Sequence, residues 1–199
     1  MKNLINKWNA VYRRKYLEPF KALADYSVPV EPTEENLAYL DDRCSLVRQQ
    51  ALDRLGQFAD IDPVRIKIIK RLKDKQSTIR ESAAQILGKY IREDDDILFL
   101  LKDALVDESP YVTHTVLTIL EPYINKDNKE EIIGKCLKNK YILFDTLKII
   151  LKHLIEDPEK RRLVENTIKE EMMTTRRRFF GVDYFPSPPL IESELISLI

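Results

Sequence analysis

The chain has 199 residues, and its 33 lysines and arginines are matched by 33 aspartates and glutamates. A nucleic-acid binder usually carries a basic excess, because neutralising phosphates supplies most of its affinity; the absence of any global excess argues against that class and leaves only a local basic patch open to it. Few glycines and abundant charge are the composition of helices with solvated outer faces, arranged around one core or in a stack of repeats that shares one.

In chain order, the first 26 residues carry Leu4, Trp8, Val11, Tyr12, Tyr16, Phe20 and Leu23. Spacings of three and four make one amphipathic helix, or two short ones broken near Pro19. Met1-Lys2-Asn3-Leu4-Ile5-Asn6-Lys7-Trp8 has no apolar run suited to a signal peptide, and no stretch approaches the ~20 apolar residues of a membrane span. The expected setting is therefore cytoplasmic and reducing. Val28-Pro29-Val30-Glu31-Pro32 reads as an extended linker.

A repeat follows. Ser45-Leu46-Val47-Arg48-Gln49-Gln50-Ala51-Leu52-Asp53-Arg54-Leu55-Gly56 aligns with Thr78-Ile79-Arg80-Glu81-Ser82-Ala83-Ala84-Gln85-Ile86-Leu87-Gly88, so that Val47 meets Ile79, Arg48 meets Arg80 and Leu55-Gly56 meets Leu87-Gly88. The step is 79 − 47 = 32 residues; Val112, Val116 and Leu120 form a third copy at 112 − 79 = 33, and Leu143, Leu147 and Leu151 a weaker fourth at 143 − 112 = 31. Upstream of each, Leu40, Leu72, Leu105 and Leu137 are followed two positions later by Asp42, Asp74, Asp107 and Asn139. Each unit is thus an apolar helix, a turn with Asp or Asn, and a second helix with apolar residues at i, i+4 and i+8. Such a hairpin buries both apolar faces only by stacking on its neighbours. Pro63, Ser109-Pro110 and Asp157-Pro158 mark helix starts, and Asp94-Asp95-Asp96 suits a helix N-terminus rather than a metal site.

The motif L-x-D followed by V-R-x-x-A-x-x-x-L-G, nearly intact twice and degraded twice over residues 34–155, resembles the HEAT-repeat family. The resemblance implies an all-α fold, an α-α superhelix (HEAT-like solenoid) of about four to five helical hairpins with atypical capping helices. It implies one domain over 1–199: a capping helix and linker over 1–32, repeats over 33–157 and a capping segment over 158–199. It also implies that Asp42, Asp74, Asp107, Arg48 and Arg80 form ladders between repeats, weakened where Thr113 interrupts the arginine column. A helix from Pro158 to about Arg178 is expected to bury Leu163, Val164, Ile168 and Met172 on one side. Beyond Arg176-Arg177-Arg178, residues 182–189 read as a proline-rich loop with its aromatics on the last hairpin, and residues 190–199 as a short closing helix.

Motifs for phosphate loops, nucleophile elbows, zinc proteases and C-x-x-C redox sites are absent. Cys44 and Cys136 lack metal-ligand spacing and are expected to be small buried thiols; His114 and His153 read as ordinary histidines. No catalytic residue, metal or cofactor is expected. The face opposite the apolar stripe of the second helices, at ~100° per residue from Val47, carries Gln49 and Asp53, then Glu81 and Gln85, His114 and Thr118, and Asp145 and Ile149. By the resemblance, second helices line a concave surface, so these eight residues form two polar, mildly acidic columns without lysine or arginine, suited to a polar or basic protein surface.

The function expected is a non-enzymatic protein-binding module, either an immunity or inhibitor protein or an adaptor, monomeric alone and without a membrane partner. The competing reading resembles HEAT-like DNA glycosylases that excise alkylated bases; Trp8, Arg13, Arg14, Lys15 and Arg176–Arg178 would then supply local charge. A resemblance to HEAT-like lyases that attach pigments to cysteines has no supporting residue signature here.

Overall fold

A computed structural model describes residues 30–92, 95–139, 141–176 and 185–186. The N-terminal aromatic stripe, Arg177-Arg178, the closing segment 190–199 and the side chain of Met172 lie outside the described residues. The described chain is built of helices packed on one another, apart from one pair of two-residue strands. It divides into two units, Met1–Glu93 and Asp94–Ile199.

In the first unit, α1 (Glu34–Ala38) begins at Thr33, whose hydroxyl accepts the Asn36 N–H. Glu34 and Glu35 sit in its first turn, where the exposed N–H groups favour negative charge. α1 ends in a 3-10 turn, and α2 (Ser45–Leu55) packs back on it. α3 (Asp62–Arg71), with Pro63 in its first turn, and α4 (Ser77–Leu87) form the second hairpin. α2 lies against α4. The stripe Val47, Ala51 and Leu55 is fully buried, as are Leu40, Leu52, Val64 and Ile68. Burying each large aliphatic side chain contributes about 1.5–3 kcal/mol. Gly56 has ordinary helical dihedrals. Its lack of a side chain serves close approach, since a Cβ there would lie 2.6 Å from Ile86 Cδ1 of the next hairpin.

The turn between paired helices is the same in the first three hairpins. Asp42 Oδ1 accepts the Cys44 N–H at 2.7 Å, Asp74 Oδ1 the Gln76 N–H at 3.0 Å, and Asp107 Oδ1 the Ser109 N–H at 2.8 Å. This side-chain turn reverses the chain without glycine. Arg48 then bridges hairpins. Its Nη1 donates to the carbonyls of Asp42 and Arg43, at 2.8 and 3.2 Å. Its Nε and Nη2 hold both carboxylate oxygens of Asp74, at 2.8 and 2.7 Å. Arg80 repeats the first half of the pattern on the carbonyls of Asp74 and Lys75. The Arg48 and Asp74 side chains are 10% and 3% exposed. Burial alone would raise the pKa of Asp74, but the bonds from Arg48 and Gln76 and the charges of Arg48 and Arg71 outweigh it and hold the carboxyl below its usual range.

In the second unit, α5 (Asp95–Ala104) pairs with α6 (Pro110–Leu120); α7 (Lys129–Leu137) packs on both, and α8 (Phe144–Leu154) follows it in the chain. α5 lies beside α7 and α6 beside α8. α9 (Pro158–Arg176) starts at Asp157, which accepts the N–H groups of Glu159 and Lys160, and packs on α8. Ile168 and Val164 join Leu147, Leu151 and Ile155 in one apolar cluster. Leu163, expected in that stripe, is 67% exposed instead; on a helix it lies about 100° from Val164, and the i, i+4 pair Val164–Ile168 sets the buried side.

The buried polar network is neutral in this unit. Thr113 stands where Arg48 and Arg80 stand, and its hydroxyl donates to the carbonyls of Leu105 and Ser109. Asn139 stands where Asp74 stands, and its amide donates to Leu105 O at 2.7 Å and Cys136 O at 3.1 Å. Loss of the arginine and loss of the carboxylate go together, as they must, since a buried carboxylate without its cation is strongly unfavourable.

The fourth copy has a different register from the one expected. The second helices begin at Ser45, Ser77, Pro110 and Phe144, so Thr146, Ile150 and Leu154, not Leu143, Leu147 and Leu151, match Val112, Val116 and Leu120. The step is 146 − 112 = 34 rather than 31. The buried residues of α8 are Thr146, Leu147, Ile150 and Leu151, the counterparts of the buried Val112, Thr113, Val116 and Leu117 in α6. The shift arises in the turn. Helix α8 starts five residues after Asn139, whereas the earlier second helices start three after their Asp. The two extra residues accommodate β1 (Tyr141–Ile142), which pairs antiparallel with β2 (Phe185–Pro186). Part of the expected proline-rich loop is therefore an edge strand.

Two substitutions test the buried network. Asp74→Asn leaves the Arg48 guanidinium buried without its counter-charge and is expected to cost about 3–5 kcal/mol at neutral pH, read by urea unfolding. Because Asp74 has a depressed pKa in the folded chain, its contribution is complete above the unfolded value and is lost as pH falls through the folded one; the gap between wild type and variant should narrow below about pH 4. Asn139→Asp should destabilise by a similar amount and show the opposite trend: it creates a carboxyl facing only carbonyl oxygens, whose raised pKa lets acid relieve the penalty.

Candidate functional site

The second helices turn a fixed set of positions outward. In the first unit these are Leu46, Gln49, Gln50 and Asp53 on α2, and Thr78, Glu81, Ser82 and Gln85 on α4. Gln49 Nε2 donates to Asp53 Oδ1 at 3.0 Å and, across the hairpins, to Ser82 Oγ at 2.9 Å. In the second unit His114 Nδ1 is 3.1 Å from the buried Thr146 Oγ1, and Thr118 Oγ1 donates to His114 O at 2.9 Å. Gln49 and His114 are accordingly half-buried. Both link neighbouring second helices, so they are more than solvated surface.

The corrected register alters the expected columns. Gln49, Glu81 and His114 are followed by Lys148, and Asp53, Gln85 and Thr118 by Lys152. Asp145 and Ile149 keep an outward placement but belong to the adjoining rows of Leu46 and Gln50. Asp145 pairs with Lys148 at 2.9 Å, and that hydrogen bond holds its carboxyl below the usual range. Lys152 pairs with Glu121 at 2.6 Å. The face is therefore without cations in the first unit and mixed in charge in the second. Leu143, Leu147 and Leu151 satisfy the apolar spacing by themselves, which hid the two-residue insertion before α8.

The first unit holds a second feature, which the repeat pattern obscured. An open cleft of about 530 Å³ runs along its hairpin turns. Six cationic side chains line it against the carboxylates of Asp41, Asp42 and Asp74. Arg48 is committed to Asp74, and Arg71 bonds Asp41 at 2.9 Å and Asp74 at 3.3 Å. Lys67, just outside, also pairs with Asp41. Arg43, Lys70, Lys73 and Lys75 are exposed and form no ion pair among the described residues. The readable signal was three lysines in six residues around one turn, Lys70 to Lys75.

Two of the groups suited to nucleophilic or acid–base work, Cys136 and His153, are restrained by burial. Cys136 is buried, and burial pushes its thiol up to about 12, which keeps it protonated. Cys44, expected to be buried, is half-buried at the start of α2. Burial lowers the pKa of His153; Glu121, 3.9 Å from Nε2, opposes this, while Lys152, Arg161 and Lys129 add to it. Among the described residues no group of three or more His, Cys, Asp or Glu could hold a metal ion, and no helix is long and apolar enough to cross a membrane. A scan of protein-family models and searches of curated proteins and of solved structures give no match.

Thiol labelling checks the cysteine assignments. In the native protein an aromatic disulfide reagent is expected to modify Cys44 at mildly alkaline pH while Cys136 stays unmodified, since the thiolate is the reacting species; both should react in denaturant. Equal native rates would contradict the burial of Cys136.

Proposed function

We propose that the chain is a HEAT-like helical-repeat protein and that it works as a non-catalytic module, binding a protein partner through the outward faces of its second helices. The observation that carries this reading is the linkage of neighbouring second helices by Gln49–Ser82 in one unit and His114–Thr146 in the other. These bonds fix adjacent helices side by side. A partner then meets a surface that is already assembled and pays little ordering entropy on binding.

The chemistry of that surface narrows the partner. In the first unit its outward positions offer amides, hydroxyls and the carboxylates of Asp53 and Glu81, with no lysine or arginine among them. It fits a polar or basic protein patch and opposes a phosphate backbone. An adaptor and an inhibitor of a partner enzyme are both versions of this reading, and the identity of the partner decides between them.

Affinity capture with the full chain is expected to recover a stoichiometric protein partner. Reversing charge with Asp53→Lys and Glu81→Lys should weaken the purified complex about tenfold or more, because like charges are then placed face to face. Unchanged affinity in both variants would remove this face from the reading.

A further inference from the structure

The cleft along the turns of the first unit is not needed for stacking. Arg48, Asp42 and Asp74 carry the link between hairpins. Arg43, Lys70, Lys73 and Lys75 take no part in it, and the positions of the third hairpin aligned with Lys70, Lys73 and Lys75 are Asp103, Val106 and Glu108. The same architecture is thus built with acidic and apolar residues at those places. Lys70 also favours the carbonyl end of α3, but Lys73 and Lys75 lie beyond the helix and have no such use. Among the described residues, four exposed cations without an ion pair remain around an open cleft whose carboxylates are already engaged: Asp41 by Lys67 and Arg71, Asp42 by the Cys44 N–H, and Asp74 by Arg48.

We infer that this cleft binds an acidic peptide segment, the carboxylate side chains of an extended stretch of a protein partner. The inference rests on the reading of the chain as a protein-binding module but uses a different face, of opposite charge. An extended acidic segment fits better than a compact anion. The free cations are long side chains spread over two successive turns, so they suit charges spaced along a chain rather than one converging group. Nucleic acid fits less well. Among the described residues the cleft has no aromatic lining on which bases could stack, and the chain carries no net positive charge.

The test is fluorescence anisotropy of a fluorescein-labelled oligo-glutamate peptide titrated with the full chain at low ionic strength. Binding is expected, and it should weaken as salt screens exposed charges. The triple variant Lys70→Glu, Lys73→Glu, Lys75→Glu should bind at least about tenfold more weakly, and Lys70→Gln, Lys73→Gln, Lys75→Gln should fall between. All six substitutions are at exposed positions, and an unchanged thermal midpoint confirms that the fold is intact. The pair Asp53→Asn, Glu81→Gln on the second-helix face should leave peptide affinity within about twofold, so the two faces fail or succeed separately. No binding at low salt, or equal binding by the triple variant, overturns the inference. So does tighter, lysine-dependent binding of a labelled DNA duplex, or displacement of the peptide by inorganic phosphate at equal charge.

Discussion

Much of the first unit depends on one buried carboxylate. Asp74 closes its own turn by accepting the Gln76 N–H, and its two oxygens hold the guanidinium of Arg48 from the preceding hairpin. Arg48 in turn binds the carbonyls of Asp42 and Arg43. Turn shape and hairpin spacing are therefore set by one connected group of atoms. Such a network specifies an arrangement more than it stabilises one. Desolvating both ions takes back most of the Coulombic gain, and the aliphatic stripe around Val47, Leu52 and Ile68 supplies the driving force. What the pair contributes is intolerance of other registers, since any slip strands an ion.

The second unit makes the corresponding link without a buried ion pair; Lys102–Glu131 and Lys135–Asp103 join its hairpins at the surface. Thr113 and Asn139 satisfy the carbonyl of Leu105 by donation alone, and no charged side chain is buried among the described residues of this unit. The following turn is also free to change length. It gains two residues and a short strand, and the column that began with arginine ends at the apolar Leu147. Relaxed turn geometry and loss of the ion pair belong together: a bidentate pair tolerates little variation in the distance between turns, whereas a hydroxyl or amide bonded to one carbonyl tolerates more.

This difference explains what was legible in the sequence. The helical hairpins, their starts at Pro63, Pro110 and Pro158, and the stacking roles of Arg48 and Asp74 could be read because repeated side chains sit in repeated environments. The register of α8 could not, because only apolar spacing remained there, and Leu143, Leu147 and Leu151 satisfy i, i+4, i+8 as well as Thr146, Ile150 and Leu154 do. Leu163 was misplaced for a related reason: adjacent leucine and valine leave the buried side of a helix undecided until its packing partner is known. The links from Gln49 and His114 join residues 33 and 32 positions apart. No local pattern distinguishes such a residue from one facing water.

The two candidate surfaces of the first unit follow from where charge is permitted. Outward positions of second helices stand beside a neighbouring helix, where Gln49 donates across to Ser82 and a lysine at position 82 would leave that cross-link without an acceptor. Polar neutral and short acidic side chains suit such places. At the turns Arg43, Lys70, Lys73 and Lys75 are exposed and line the cleft, so long cations there reach solvent while their stems lie along it. Separation of an acidic helix face from a basic turn edge is thus compatible with zero net charge, and each face can be selective where the whole chain is not. Total charge misleads about binding in such a chain; what matters is which cations the fold has already used. Arg48 and Arg71 are used, and Arg43, Lys70, Lys73 and Lys75 are left to meet whatever enters the cleft.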